Sequence, residues 1–260
     1  MFTAQGPTLR ELAVQALSSI EHGYDLLAPT FDRTPFRTSD ALLDAVTAAL
    51  RPIGPFGTGL DICCGTGAGM RVLRQVCRER AVGVDFSAGM LAEATTTTSP
   101  AAPGAATASP AAQGAATVSP AVSWVRADAR ALPFAPVFDL AVSFGAFGHF
   151  LPRERPSLFA QAHAALRPGG CFAFPVPAPP GPGSSLYWKL LAFDVAMRVR
   201  NALWRPTFVM YYRTFPLSEV LTDLAEAGFT VELRPLTELG HLADGSPRLR
   251  LVVAWKPADD

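Results

Sequence analysis

The sequence is poor in charge. Only 17% of its 260 residues are Asp, Glu, Lys or Arg, and 22 acids balance 22 bases. A balanced chain has no strong overall field to draw in nucleic acid or an anionic membrane. Cysteine is scarce too. Cys63, Cys64, Cys77 and Cys171 match no zinc spacing, and two sit side by side in a glycine-rich run, which excludes a metal site or a disulfide framework as an expectation. No run of about 18 apolar residues reads as a membrane span. The N-terminal stretch lacks the continuous apolar segment of a signal peptide. A soluble cytoplasmic protein, monomer or homodimer, is expected, with no nucleic-acid partner and no stable membrane insertion.

One stretch has no charge at all, from Ala94 to Val125. Within it "SPAAPGAATA" at 99–108 returns as "SPAAQGAATV" at 109–118, and a third copy starts at Ser119. This composition offers little to bury against its ordering entropy. A disordered insertion over 95–121 is expected, inside one domain spanning 1–260.

What is there alternates. Residues 9–22 and 40–51 have helical spacing, with Asp40 placed as the N-cap of the second. "TGLDIC" reads as a strand, "GMRVLRQV" as a helix, "AVGVDFS" as a strand and "AGMLAEA" as a short helix. After the insertion come strands "AVSWVRAD" and "FDLAVSF", helix "RPSLFAQAHAAL", turn "RPGG" and strand "CFAFPV". Helix "PLSEVLTDLAEAG" and strands "FTVELRPL" and "RLRLVVAW" follow. This order predicts an α/β fold: a mostly parallel sheet of about seven strands, helices on both faces and an antiparallel strand at the last edge. The aromatic-rich stretch 184–215 predicts a helical cap. Asp194, Arg198, Asn201 and Arg205 form one polar stripe on it, with Arg198, Arg205 or Arg213 placed to meet an anionic substituent of a flat or lipophilic acceptor. Ordinary packing accounts for most of its aromatic residues, and interfacial membrane contact is a third reading.

The run "GLDICCGTGAGM" at 59–70 carries the ligand question. Gly65 and Gly67 fit the first two places of a pyrophosphate loop, but Met70 takes the third and Asp61 ends the strand before it. A carboxylate there repels a pyrophosphate and suits a cationic amine. Asp85, 20 residues after Gly65, is placed to accept ribose hydroxyls, and Asp128 to accept an exocyclic amine. The implied ligand has a ribose, an amino-bearing base and an ammonium end without phosphates.

These segments resemble a class I S-adenosylmethionine-dependent methyltransferase of the small-molecule type. "LDICCGTG", "GVDFSAGML", "RADARALPF" and "LRPGG" are similar to four motifs of that family, in order. The resemblance implies a Rossmann-like fold and S-adenosylmethionine as cofactor. It also implies that Asp61 orients the methionyl amine, while backbone groups of Cys63, Gly65 and Gly67 line the methionine. Asp85 would hold the ribose beside Phe86 and Met90, and Asp128 the adenine amine with the Ala129 amide on a ring nitrogen. Ser143 and Phe144 would flank the methyl-donor end. Tyr24 or Arg37, in the covering segment, would meet the ligand carboxylate. The family usually has glycine where this chain has Cys63; slight crowding is expected from the small thiol.

His149 lies near a strand's C-terminal end and is placed to take a proton from the acceptor, though a structural histidine is an equal reading. The expected function is methyl transfer to a small, aromatic or hydrophobic acceptor. The rival is a non-catalytic, S-adenosylmethionine-binding regulatory or assembly protein. A nicotinamide-dependent oxidoreductase is opposed by Met70 and Asp61.

Overall fold

The computed structural model describes residues 8, 14–15, 17–98, 119–213 and 215–258. Seven strands form one sheet: β1 Phe56–Ile62, β2 Cys77–Asp85, β3 Ala121–Arg126, β4 Phe138–Val142, β5 Leu166–Pro177, β6 Thr230–Pro235 and β7 Leu249–Trp255. Their order is β3-β2-β1-β4-β5-β7-β6. β1 to β5 are parallel, and β7 runs antiparallel to both β5 and β6 at the far end. Chain order reverses between β1 and β4, so the crevice beyond their C-terminal ends is the expected ligand position.

Helices α1 Ile20–Leu27, α2 Asp40–Leu50, α3 Met70–Val76, α4 Ala88–Thr98, α5 Arg155–Ala165, α6 Ser185–Leu203 and α7 Leu217–Glu226 complete the fold. On one sheet face Leu60 and Ile62 pack with Leu158 and Phe159 of α5 and with Val220 and Leu224 of α7. On the other, Leu140 and Val142 pack with Leu73 of α3 and with Leu43 and Val46 of α2. Each such side chain contributes about 1.5–3 kcal/mol by leaving water. A sheet covered on both sides in this way holds its strand tips rigidly.

The structure corrects several boundaries. Within the helix expected over 9–22, residues 14, 15 and 17 are helical, the helix breaks at Ser18–Ser19, and a new one capped by the Ser19 hydroxyl runs from Ile20 to Leu27; residues 9–13 and 16 lie outside the described residues. Ser39, not Asp40, caps α2, because its hydroxyl accepts the Leu42 N–H. Asp40 sits in the first turn, where it faces the helix dipole. β2 starts at Cys77, directly after α3. The "RPGG" turn is absorbed into β5 as a register shift between the Phe138–Leu166 and Leu140–Cys171 pairs. Helix α4 runs four residues into the segment expected to be an insertion. There the hydroxyls of Thr95, Thr96 and Thr97 donate to the carbonyls of Leu91 and Glu93. Of the remaining expected insertion, 99–118 lies outside the described residues.

The cap is a single helix, α6, followed by a non-helical strap. Its polar stripe holds that strap in place instead of facing an acceptor. The buried Asp194 carboxylate accepts the N–H groups of Tyr212 at 2.8 Å and Arg213 at 3.2 Å. Asn201 accepts the Phe208 N–H and donates to the Phe208 carbonyl, both at 2.9 Å. Arg198 lies over the Tyr211 ring and Arg213 over the Tyr187 ring, each 4.7 Å from the centroid. Among the described residues, no helix is long and apolar enough to cross a membrane.

At the opposite edge from the strand tips, Asp139 anchors the entrance to β1. Its Oδ2 accepts the N–H groups of Gly57 at 3.0 Å and Thr58 at 2.7 Å, and its Oδ1 takes Arg167 at 3.1 Å. Asp139→Ala leaves those amides without their acceptor, so urea unfolding is expected to show a loss of about 2–3 kcal/mol. An unchanged midpoint would mean that the anchor contributes nothing.

Candidate active site

Asp61 is the penultimate residue of β1 and pairs in register with Gly83 of β2 and Val142 of β4. That places its carboxylate at the centre of the sheet's C-terminal edge, 1% exposed. Among the described residues, neither oxygen has a hydrogen-bond partner. Burial, then the negative charge of Asp85, pushes its pKa well above the usual carboxylate range; the neighbouring amides of Gly69 and Met70 pull it down too weakly to compensate. A buried anion short of donors is a site shaped for a cation.

The loop that follows is built to leave room for it. A Cβ on Gly69 would fall 2.5–2.7 Å from the Asp61 carboxylate, so only glycine fits at that place in the run. Between them the backbone turns through positive φ at Cys63 (57°), Gly65 (52°) and Gly67 (92°). Cys63 is the one non-glycine residue with positive φ among the described residues. Glycine is favoured at this position because of its backbone conformation, so the thiol's cost is strain and not the crowding expected from its size. Burial, then the negative charges of Asp85, Asp61 and Asp128, pushes the Cys63 thiol pKa up.

Asp85 ends β2. It accepts the Gly65 N–H at 2.9 Å and the Ser87 N–H at 2.9 Å, tying the glycine loop to the start of α4. Burial raises its pKa although those amides oppose the shift. Two of its acceptor positions are used and the others are open to hydroxyl donors. The α4 cap is Ser87, whose hydroxyl accepts the Met90 N–H at 3.1 Å. Phe86 is half-buried beside it, and Met90 and Ala129 are buried. Asp128 is already engaged: Arg130 meets it through Nε and Nη2, the shorter contact being 2.6 Å, and reaches Glu154 at 2.6 Å. This pairing lowers the Asp128 pKa. At the tip of β4 the buried Ser143 hydroxyl donates to the Ile62 carbonyl at 2.8 Å, and Phe144 packs into the core on the α2–α3 side.

The covering segment bonds directly to these tips. Asp25 accepts the Ser87 hydroxyl at 2.6 Å and the Gly89 N–H at 2.8 Å, and Asp32 accepts the Thr66 hydroxyl at 2.8 Å. Tyr24, the residue before Asp25, meets His149 at 2.6 Å, through Nε2. His149 Nδ1 lies 2.7 Å from the Val209 carbonyl. A carbonyl only accepts, so Nδ1 carries the hydrogen, and Nε2 accepts a hydrogen bond from the Tyr24 hydroxyl. Burial lowers the His149 pKa and keeps the ring neutral. His149 is therefore not an open base, because Tyr24 occupies its lone pair.

Asp85 is joined to the glycine loop that carries Cys63, Gly65 and Gly67 through the Gly65 amide, and Tyr24 is joined to His149. Arg37 is joined to neither. It pairs with Asp40 at 2.8 Å in a surface cluster that includes Arg71, because a nearby acid at the start of α2 captures it. Sequence reasoning missed Asp25, Asp32 and Arg130. The first two share the stretch "YDLLAPTFDRT" with Tyr24, which was the available signal.

Two outcomes follow from the burial and strain. Asp61 has a raised folded pKa, so its stabilising contribution is present at low pH and lost as pH rises through that value. Asp61→Asn is expected to raise the melting temperature of the free protein at pH 7 by about 2–4 °C per kcal/mol recovered. The same change should weaken S-adenosylhomocysteine binding, whereas a fall in both would show that Asp61 is structural. Cys63→Gly relieves the left-handed strain and is expected to stabilise by about 1 kcal/mol in denaturant unfolding. No gain would mean that the thiol's packing offsets the strain.

Residues 60–170 match the methyltransferase-domain family. The chain is 30% identical over 161 residues to a 2-phytyl-1,4-naphthoquinone methyltransferase of Thermosynechococcus vestitus, an alignment covering 59% of this chain and 62% of that one. The chain thus spans somewhat under two thirds of the length of that curated relative. Among solved structures, an O-methyltransferase family protein from Burkholderia thailandensis superposes with a TM-score of 0.64 at 14% identity, covering 96% of this chain and 67% of that one. A magnesium protoporphyrin IX methyltransferase from Synechocystis superposes with a TM-score of 0.51 at 16% identity, covering 83% and 81%. These two show the fold. Residues 60–170 are thus similar in sequence to a methyltransferase domain, and the chain shares the fold of these solved methyltransferases.

Proposed function

We propose that this chain transfers a methyl group from S-adenosylmethionine to a small, aromatic or hydrophobic acceptor. The observation that carries the reading is Asp61, a buried carboxylate with both oxygens unpartnered under the glycine loop. An ammonium supplies the missing donors, whereas a pyrophosphate would meet three carboxylates. Asp61 then holds the amine, and the backbone of Cys63, Gly65 and Gly67 follows the methionine. Asp85 takes the ribose hydroxyls on its open acceptor positions. Asp128, shared with Arg130, faces the adenine amine, with Phe86, Met90 and Ala129 around the base and Ser143 and Phe144 toward the reacting end.

The donor supplies a sulfonium methyl whose charge disperses during an in-line displacement, which leaves alignment and water exclusion to the protein. Aromatic and hydrophobic acceptors are favoured by the naphthoquinone methyltransferase relative and by the apolar side of the strap, where Phe208 lies edge-on to His149. An acceptor that must lose a proton passes it to the Tyr24 oxygen while the Tyr24 proton moves to His149 Nε2. The Val209 carbonyl steadies the imidazolium that forms.

Methyl-labelled S-adenosylmethionine, incubated with the full chain and lipophilic phenols and quinols, is expected to give labelled product. Tyr24→Phe should lower kcat about 100-fold, the scale of a lost proton-transfer group, with S-adenosylhomocysteine affinity held within about two-fold. Donor binding without transfer to any acceptor would contradict the reading. An affinity loss that matches the kcat loss would move Tyr24 to donor binding.

A further inference from the structure

Helix α6 presents an apolar face to solvent. Trp188, Val195, Val199 and Leu203 recur at i, i+7, i+11 and i+15, one line along a helix. They are 58%, 51%, 52% and 80% exposed. The opposite side of α6 carries Asp194 and Asn201, which bind the strap, so the helix is fixed with this line outward.

Cations flank the line on both sides. Lys189 follows Trp188, about 100° round the helix, and Arg198 precedes Val199 by about 100° the other way. Asp194 is the only acid between Ser185 and Leu203, and it is buried with its oxygens on strap amides. A two-fold dimer packed through this face would bring cation against cation with no exposed acid to pair them. An anionic surface meets both the apolar line and its flanks, with the Lys189 side chain free to reach up past the apolar groups while the Arg198 guanidinium lies over the Tyr211 ring.

We infer that α6 is a peripheral docking face for an anionic lipid bilayer, lying in the interface plane with Trp188, Val195, Val199 and Leu203 inserted. The strap held on its inner side supplies the Val209 carbonyl that bonds His149, so the docked face sits directly behind the acceptor side of the cleft. The inference stands apart from the methyl-transfer reading, since adsorption needs neither donor nor acceptor.

The full chain is tested by flotation with phosphatidylcholine vesicles, with and without phosphatidylglycerol. Binding is expected only with the anionic lipid, weakening as salt is raised. Leu203→Asp and Lys189→Glu should each reduce it about ten-fold, with circular dichroism and S-adenosylhomocysteine affinity unchanged. Equal binding to neutral vesicles, or none to either, overturns the inference. So does a stable dimer in light scattering that Leu203→Asp dissociates, which would assign the face to a second copy of the chain.

Discussion

The site depends on one uncomfortable charge. Asp61 is carried into the middle of the sheet's C-terminal edge by a strand with neighbours on both sides, and its oxygens find no partner there. Burying an unpaired carboxylate is among the costlier things a fold does, and it persists because a covered parallel sheet leaves the strand end no freedom to move away. The surrounding loop is consistent with that purpose. Gly69 has no side chain because one would collide with Asp61, and the left-handed turns at Cys63, Gly65 and Gly67 bend the chain around the carboxylate.

A second set of contacts closes the site from above. The segment containing α1 is joined to the strand tips by carboxylates, Asp25 to the start of α4 and Asp32 to the glycine loop. Tyr24 lies between them and reaches His149, which is in turn fixed by the strap that α6 holds. The cover, the loop after β4 and the cap are therefore one hydrogen-bonded chain. The covering segment and the strap meet at the Tyr24–His149 pair.

Much of this was legible in the sequence, for local reasons. Alternating apolar runs and glycines gave β1, the loop and α3 in order, and acids at strand ends marked Asp61, Asp85 and Asp128. What was not legible came from contacts between distant parts of the chain. Tyr24 and His149 are 125 residues apart, and nothing near either announces the pairing that occupies the imidazole. Arg37 looked like a carboxylate ligand until Asp40 was seen to take it. The polar stripe of α6 has the spacing of a binding face, but spacing does not reveal that the strap folds back to use it. At Cys63 side-chain size was the wrong property to weigh, since the constraint is a backbone angle.

Proton counting on ligand binding tests the central claim most directly. Titration calorimetry of S-adenosylhomocysteine, in buffers of differing ionisation enthalpy between about pH 5 and pH 8, reads the protons exchanged at the site. If Asp61 is a carboxylate awaiting an ammonium, binding lowers its pKa and releases protons wherever Asp61 is protonated before binding. An enthalpy that does not depend on the buffer anywhere in that range would contradict the account.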